Sequence, residues 1–477
     1  MESPKGRLTT RARSRRRALG LMFLAAAAAH GGCEIAPSQI SVRILDRYRK
    51  TSGAKPLPAG GMIRLRLASG DGAPPAAGNS EILWEPGRYR ESVSSAGMTT
   101  VRGVESGKAY FTDEDDVTRV ASEPVVRELL TRSYFWRRAW LFERREGARL
   151  SPGPADDSTV SVTLTPDGGN PLFLVFSRRD GGLVAVRSPR FSLEFSSPRE
   201  FRDLSDPGGP LRGEIAWTGL PTGPIPSPAV GGGRARFAVP ADRVPYERGR
   251  GVLIVPARVS GREARLAIDG AADGPLRLTP ALAARLPLSF APDVRGRRVA
   301  AGAALEIGAA SWPGIFAQET DEVPPGADAA AGGCLFREAV VEIDPGHKRF
   351  GVHDPARWVI PEGYFRIVTD DDGNRPVAIL YRGSRELRLT AGADVGSAAL
   401  WLAAESAARL GLPGASQADG LRWGPANLPP LPLRISSGEF FPDWGDDGRL
   451  GWTLIERFHA FFDMPNRWTY IRPADLP

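Results

Sequence analysis

The chain of 477 residues is longer than one hydrophobic core usually serves, so its length predicts two or three domains. Its 42% hydrophobic and 25% charged residues are ordinary for globular proteins and exclude a wholly disordered chain. The formal net charge of +7 invites a nucleic-acid-binding interpretation, but residues 1–32 carry seven basic side chains and one acidic one. The rest of the chain is close to neutral and has no basic excess with which to bind a phosphate backbone.

The N-terminal residues have the layout of an export signal. A basic stretch precedes the apolar run 18–29, which is too short to span a bilayer but suits the core of a signal peptide. Gly31 and Gly32 before Cys33 resemble the lipobox of bacterial lipoproteins, with His30 where that motif prefers an aliphatic residue. The resemblance implies cleavage after residue 32, a lipid on Cys33, and a location in the periplasm or at the outer membrane. A soluble secreted protein cut nearby is the alternative.

The cysteine and histidine content argues against metal and cofactor chemistry. If Cys33 is acylated, Cys334 has no disulfide partner, and its apolar neighbours predict a buried side chain. The sequence contains no CxxC, HExxH or paired-histidine spacing and only 4 His. We therefore predict neither a metal site nor a cofactor.

The first part of the mature chain predicts an antiparallel sheet. Residues 33–80 are rich in Gly, Pro and Ala and are interpreted as a tether with one short strand. Over 81–204, alternating apolar residues predict strands, and one predicted helix carries an aromatic stripe that includes Phe135, Trp136 and Trp140. This succession resembles the domain of periplasmic lipoprotein-carrier proteins, a half-open barrel around an apolar cavity. We interpret the stripe as core, with a lipid-binding lining as the alternative.

A second linker, residues 205–234, leads to an internal repeat. The first unit, 235–358, and the second, 359–477, each contain a strand hairpin, a loop and a helix with the sequence Ala-Ala-Arg-Leu. The spacing from Gly332 to Asp344 equals that from Gly451 to Asp463, twelve residues in each unit. Two units of this kind indicate a duplicated fold.

Each unit resembles a lobe of the retropepsin-type aspartic proteases, and the tandem resembles a pepsin-style bilobed pair. The family pattern is an apolar strand ending in Asp-Thr/Ser-Gly, a helix, and a Gly-x-Leu-Gly element. Residues 448–451 match that element in the second unit, and Gly332 matches its final glycine in the first. The resemblance implies a mainly β fold class, an N-terminal half-barrel followed by an all-β acid-protease pair. It also implies a peptide or protein ligand between the lobes, no cofactor, and a monomer.

The catalytic triplet departs from the family pattern in both units. In such enzymes two carboxylates share one proton, and one acts as general base while the other acts as general acid. Asp269 stands at the first aspartate position, but Gly270 and Ala271 replace the hydroxyl residue and the glycine. In the second unit, counting from the upstream turn selects Thr390, whereas counting back from the helix selects Asp394.

Because both units lack the hydroxyl that grips the opposite lobe, the sequence favours a catalytically impaired binding module. Whether the protein is an enzyme stays open at this point. The alternative is an active aspartic endopeptidase that uses Asp269 and Asp394 as its catalytic residues.

Overall fold

The described residues form four β-sheets and few helices, so the predicted mainly β fold class is confirmed. A computed structural model describes residues 37–55, 57–69, 77–121, 123–142, 145–189, 191–205, 211–220, 225–227, 233–272, 274–372, 375–394, 398–436 and 447–474. The predicted signal peptide and Cys33 lie outside these ranges.

The helices are short, apart from two in the N-terminal part. The α-helices are α1 (Pro37–Ser52), α2 (Glu123–Trp136), α3 (Pro280–Ala283), α4 (Gly333–Phe336), α5 (Ala404–Arg409) and α6 (Trp452–Ile455). Within the described ranges, 3₁₀ turns cover Ala139–Leu141, Arg145–Gly147 and Met464–Asn466. None of the helices in the described ranges has the length and apolar character that crossing a bilayer requires.

The N-terminal sheet is a continuous antiparallel arrangement of thirteen strands. Its order runs from β6 to β1 and then from β13 to β7, so the first and last strands pair at its centre. The strands are β1 (Gly61–Ser69), β2 (Ala77–Glu85), β3 (Arg88–Ser95), β4 (Met98–Glu105), β5 (Lys108–Thr112), β6 (Thr118–Val120), β7 (Arg149–Ala155), β8 (Thr159–Thr165), β9 (Leu172–Ser177), β10 (Leu183–Ser188), β11 (Phe191–Phe195), β12 (Glu200–Asp203) and β13 (Leu211–Gly219).

The segment expected to be a tether belongs to this sheet domain, which corrects the prediction for 33–80. Ser41, Leu45 and Tyr48 follow helical spacing in α1, and Tyr48 packs against Trp140 and Phe176. Strand β1 buries alternate residues and pairs with β13, which lies within the linker predicted for 205–234. In 33–80 and in 205–234, the hydrophobic periodicity decides the local structure in spite of the high Gly, Pro and Ala content.

The aromatic stripe packs as core, as interpreted from the sequence. Phe135, Trp136 and Trp140 are at most 5% exposed and belong to one buried cluster with residues of both halves of the sheet. An ion pair is buried in the same domain, where Arg132 donates two hydrogen bonds to Glu91 at 2.9 and 2.7 Å. The domain interior is therefore filled by rings and by a paired charge.

Each C-terminal repeat forms a sheet of nine strands. The first repeat sheet contains β14 (Arg236–Phe237), β16 (Glu247–Arg248), β17 (Leu253–Val259), β18 (Arg262–Ile268), β19 (Leu276–Leu278), β20 (Ala291–Pro292), β21 (Arg298–Ile307), β22 (Ala310–Glu319) and β23 (Ala329–Ala331). The second repeat sheet contains β27 (Asp370–Asp372), β28 (Arg375–Arg382), β29 (Arg385–Gly392), β30 (Leu400–Leu402), β31 (Gln417–Ala418), β32 (Leu421–Trp423), β33 (Ala426–Asn427), β34 (Leu431–Ile435) and β35 (Gly448–Gly451).

A bridging sheet of six strands joins the two repeats, and each repeat supplies three strands. These are β15 (Ala241–Pro245), β24 (Val340–Asp344), β25 (Arg349–His353), β26 (Phe365–Val368), β36 (Phe458–Asp463) and β37 (Trp468–Pro473). The repeats meet where β24 pairs antiparallel with β36. A single hydrophobic cluster extends through both repeat sheets, so the C-terminal half shares one core.

The N-terminal domain docks on the first repeat through buried charges. Arg337, at the end of α4, donates to Asp113 at 2.6 Å and also to Asp115, and all three side chains are 1% exposed. Asp115 in turn accepts a bond of 2.9 Å from the backbone N–H of Phe316. Burial and pairing of opposite charges make this contact specific in its geometry.

Candidate functional site

Asp269 lies at the junction of the two repeats, directly after β18. Its Oδ1 accepts hydrogen bonds of 3.2 Å from the backbone N–H groups of Ala271 and Ala393, and its Oδ2 accepts one of 3.0 Å from Arg277. The residue is 8% exposed. The carboxylate accepts all three hydrogen bonds. Because Ala393 belongs to the second repeat, the Asp269 carboxylate links the loop after β18 to the loop after β29.

Strand register identifies Gly392 as the residue equivalent to Asp269. In β18, Ile268 pairs with Ala331 and Asp269 follows; in β29, Ala391 pairs with Leu450 and Gly392 follows. The hairpin turns give the same alignment. Strand β18 starts after its turn at Arg262, and Asp269 lies seven residues later; β29 starts after its turn at Arg385, and Gly392 lies seven residues later. This corrects the alignment that selected Thr390, which lies two residues earlier inside β29.

Asp394 lies two residues beyond the equivalent position and faces the start of α6. Its Oδ1 accepts a bond of 3.0 Å from the backbone N–H of Thr453, and its Oδ2 accepts one of 2.6 Å from the Thr453 hydroxyl and one from Arg248. Its own N–H donates to the Gly251 carbonyl at 2.7 Å. The carboxylate therefore satisfies an N–H group in the first turn of the helix, as a capping side chain does.

The two catalytic candidates thus have separate sets of partners. Asp269 is bonded to backbone amides and Arg277, whereas Asp394 is bonded to Thr453 and Arg248. None of the bonds described for either carboxylate joins it to the other. The structure places the two residues near the same junction but gives each carboxylate a different environment.

Close backbone approach holds the junction together. A Cβ on Gly392 would lie 2.6 Å from the backbone nitrogen of Ala271, and a Cβ on Gly270 would lie 2.3 Å from the Ala391 carbonyl oxygen. Both positions therefore need glycine for steric reasons. The indole N–H of Trp452 adds a cross-repeat bond of 2.9 Å to the Ile268 carbonyl.

Sequence reasoning missed Arg277 and Trp452 as site residues. Arg277 stands between two fully buried leucines in β19, which is a weak signal, because this alternation is equally typical of an arginine that faces solvent. For Trp452 the sequence offers no comparable signal, because its indole meets a carbonyl 184 residues earlier.

The bridging sheet carries a second polar cluster. Glu342 is fully buried, and its carboxylate bonds at 2.7 Å to each of His353, His459 and Arg243. Burial raises the pKa of Glu342, but these three partners outweigh burial and hold the pKa below its ordinary value. Glu342, Asp344 and His459 could together hold a metal ion, since their ligand atoms lie within 4.8 Å of one another.

Cys334 is 3% exposed, as predicted for a small buried hydrophobe. Burial raises the pKa of its thiol to about 12. A thiol with this pKa stays protonated and is a poor nucleophile at neutral pH.

The lipidation predicted at Cys33 stays a prediction.

Comparison with known proteins yields likenesses in fold alone. No protein family model and no curated protein matches the chain. Among solved structures, it is similar to a Vibrio parahaemolyticus domain described as an outer membrane lipoprotein-sorting protein, with 8% identity and a TM-score of 0.26 over 39% of this chain and 95% of that chain. A LolA superfamily protein from Nitrosomonas europaea has 10% identity and a TM-score of 0.26 over 39% of this chain and 94% of that chain. The MucA/MucB complex from Pseudomonas aeruginosa has 12% identity and a TM-score of 0.18 over 61% of this chain and 95% of that chain.

Proposed function

We propose that the chain is an exported, lipid-anchored envelope protein that binds an extended peptide or protein segment without cleaving it. In this proposal residues 235–358 and 359–477 are two aspartic-protease-like lobes that have lost their catalytic pair. The observation that supports the proposal is Gly392, which strand register aligns with Asp269, so the second repeat has no carboxylate where the proteases that it resembles need one.

The pairing in the bridging sheet supports two equivalent lobes. Glu342 pairs with Phe461, and each lies ten residues after its own repeat's glycine, Gly332 or Gly451. Strands related by a two-fold axis meet counterpart to counterpart at the axis. Both glycines also precede a short helix, α4 or α6.

The environments of the two aspartates support loss of catalysis. A working pair needs two carboxylates close enough to share one proton, with a water between them and the substrate. Asp269 instead accepts from Arg277 and two amides, and Asp394 is held by Thr453 and Arg248. Each carboxylate is thus held by its own donors, which supports a structural role for both aspartates.

Peptide binding does not depend on the lost pair. An extended segment can be recognised through backbone hydrogen bonds of the strand-addition type, with side-chain pockets giving selectivity. Since one chain supplies both lobes, we expect a monomer. For the N-terminal domain we propose the role of a rigid scaffold, because aromatic rings and the Arg132–Glu91 ion pair fill its interior.

Peptide retention tests the proposed function. We expect the immobilised full chain to retain a defined subset of a random peptide library at pH 7 with intact masses. In hydrogen exchange, the bound peptides should protect the backbone amides of 269–272 and 391–394, because these loops form the lobe junction. Failure to retain any peptide, or protection confined to other surfaces, would refute the binding role. Retained fragments in place of intact peptides would favour the endopeptidase alternative.

A further inference from the structure

Three side chains from both repeats converge on the bridging sheet, away from Asp269. Glu342 and Asp344 lie two residues apart on β24, so both project from the same face, and His459 lies on the neighbouring β36. Their candidate ligand atoms lie within 4.8 Å of one another. The side chains of Asp344 and His459 are 10% and 14% exposed, so the cluster is partly accessible from solvent.

The atoms of these side chains that face away from the cluster are held by other groups. Oε2 of Glu342 bonds to Arg243 and His353, which leaves Oε1 directed toward His459. Nδ1 of His459 lies 2.9 Å from the Tyr364 hydroxyl. Orienting partners on the far side of each ligand are the usual outer shell of a metal centre.

Asp344 completes the arrangement at the solvent side. One of its oxygens accepts from the backbone N–H of His347 at 3.2 Å, and the other lies 2.8 Å from Nδ1 of the same residue. The His347 side chain is 81% exposed, so this edge of the cluster is open to an entering ion. Arg243 pairs with Glu342, and Asp344 adds a second carboxylate, so the cluster offers two anionic ligands to a divalent cation.

The contact between Glu342 and His459 is compatible with an inserted ion. Oε1 of Glu342 and Nε2 of His459 are 2.7 Å apart. Ligand atoms about 2.0–2.1 Å from a tetrahedral Zn²⁺ are separated by about 3.3–3.4 Å, so the contact needs to open by about 0.6–0.7 Å. One imidazole and two carboxylates suit Zn²⁺ better than Ca²⁺ or Mg²⁺, which take six or more oxygen ligands.

We infer that Glu342, Asp344 and His459 form a binding site for a divalent transition metal of the Zn²⁺ type, which clamps the two repeats at their shared sheet. The metal ligands come from strands 115 residues apart in the chain, so occupancy ties one repeat to the other. Water completes the coordination in a site with three protein ligands. The site is independent of the junction around Asp269.

Metal titration of the full chain, purified without a polyhistidine tag and stripped with EDTA, tests this inference. We expect calorimetry to show one Zn²⁺ per chain, and His459→Gln to weaken binding at least about a hundredfold because it removes a ligand. The matched control is Asp419→Asn, which removes an exposed carboxylate that pairs with Arg382 and contacts none of the three ligands, so Zn²⁺ binding should stay within about twofold of the wild type. Equal losses in the two variants, or no stoichiometric Zn²⁺ binding by the wild type, would overturn the site.

Cobalt substitution gives a readout that does not depend on stability. Co²⁺ in this site should show visible ligand-field bands without the intense charge-transfer band of a thiolate ligand. A thiolate band would place the metal at a cysteine and contradict the assignment. If His459→Gln does not give the wild-type circular dichroism spectrum, Asp344→Asn replaces it, because that ligand lies at the accessible edge of the cluster and should lose binding to a similar degree.

Discussion

Replacing Arg337 with methionine is expected to lower the free energy of unfolding by about 3–5 kcal/mol, because the change leaves buried carboxylates without their cation. Arg337 donates to Asp113 and Asp115, and each of the three side chains is 1% exposed. Methionine fills similar volume, so the effect measures the lost charge pairing more than a cavity. Urea denaturation followed by tryptophan fluorescence measures the change.

The matched control is Arg298→Met, which removes an exposed ion pair with Glu319 on the same repeat. Since the Arg298 side chain is 57% exposed, its pair should contribute no more than about 1 kcal/mol. Adding Asp113→Asn and Asp115→Asn to Arg337→Met should recover part of the loss. If Arg337→Met costs no more than the control, the buried charges do not hold the N-terminal domain on the first repeat.

Gly392→Ala is expected to destabilise the chain by about 1–3 kcal/mol, the usual range for forcing extra volume into a packed site. Its Cβ would lie 2.6 Å from the backbone nitrogen of Ala271 and 2.8 Å from Oδ1 of Asp269, and a backbone group cannot swing aside as a flexible side chain can. Thermal unfolding of purified variants measures the effect. The same clash implies that Gly392→Asp cannot recreate a catalytic pair without moving the opposite loop.

Gly60→Ala provides the comparison for this prediction. A Cβ there would meet only the Trp84 carbonyl oxygen at 3.6 Å, an ordinary contact. We expect that variant to be neutral or slightly more stable, because alanine restricts the unfolded chain. Equal stability of Gly392→Ala and the wild type would mean that the two loops are not packed as closely as described.

Much of the fold could be predicted from local patterns. The strands of the N-terminal sheet alternate buried and exposed residues between Gly-rich turns, and the helix with the aromatic stripe has a periodic apolar face. The prediction of a tether for 33–80 rested on the Gly, Pro and Ala content of that segment, whereas its structure follows the spacing of its apolar residues. Helix α1 and strand β1 bury apolar residues at regular spacing despite the surrounding Gly, Pro and Ala.

The site was less predictable because its geometry depends on register and long-range contacts. Asp269 could be identified from the strand that it ends, but its counterpart Gly392 required the hairpin register, since an offset of two residues selects Thr390 or Asp394 instead. The cluster around Glu342 joins residues from distant strands, and only the pairing of β24 with β36 brings them together.

Hydrolysis of a pool of internally quenched peptides between pH 3 and pH 7 tests the central claim most directly. We predict that wild type, Asp269→Asn and Asp394→Asn all give the rate of the protein-free blank at every pH, since Asp269 and Asp394 are each bonded to partners of their own. Hydrolysis by the wild type that disappears in both variants would contradict the account and establish the endopeptidase.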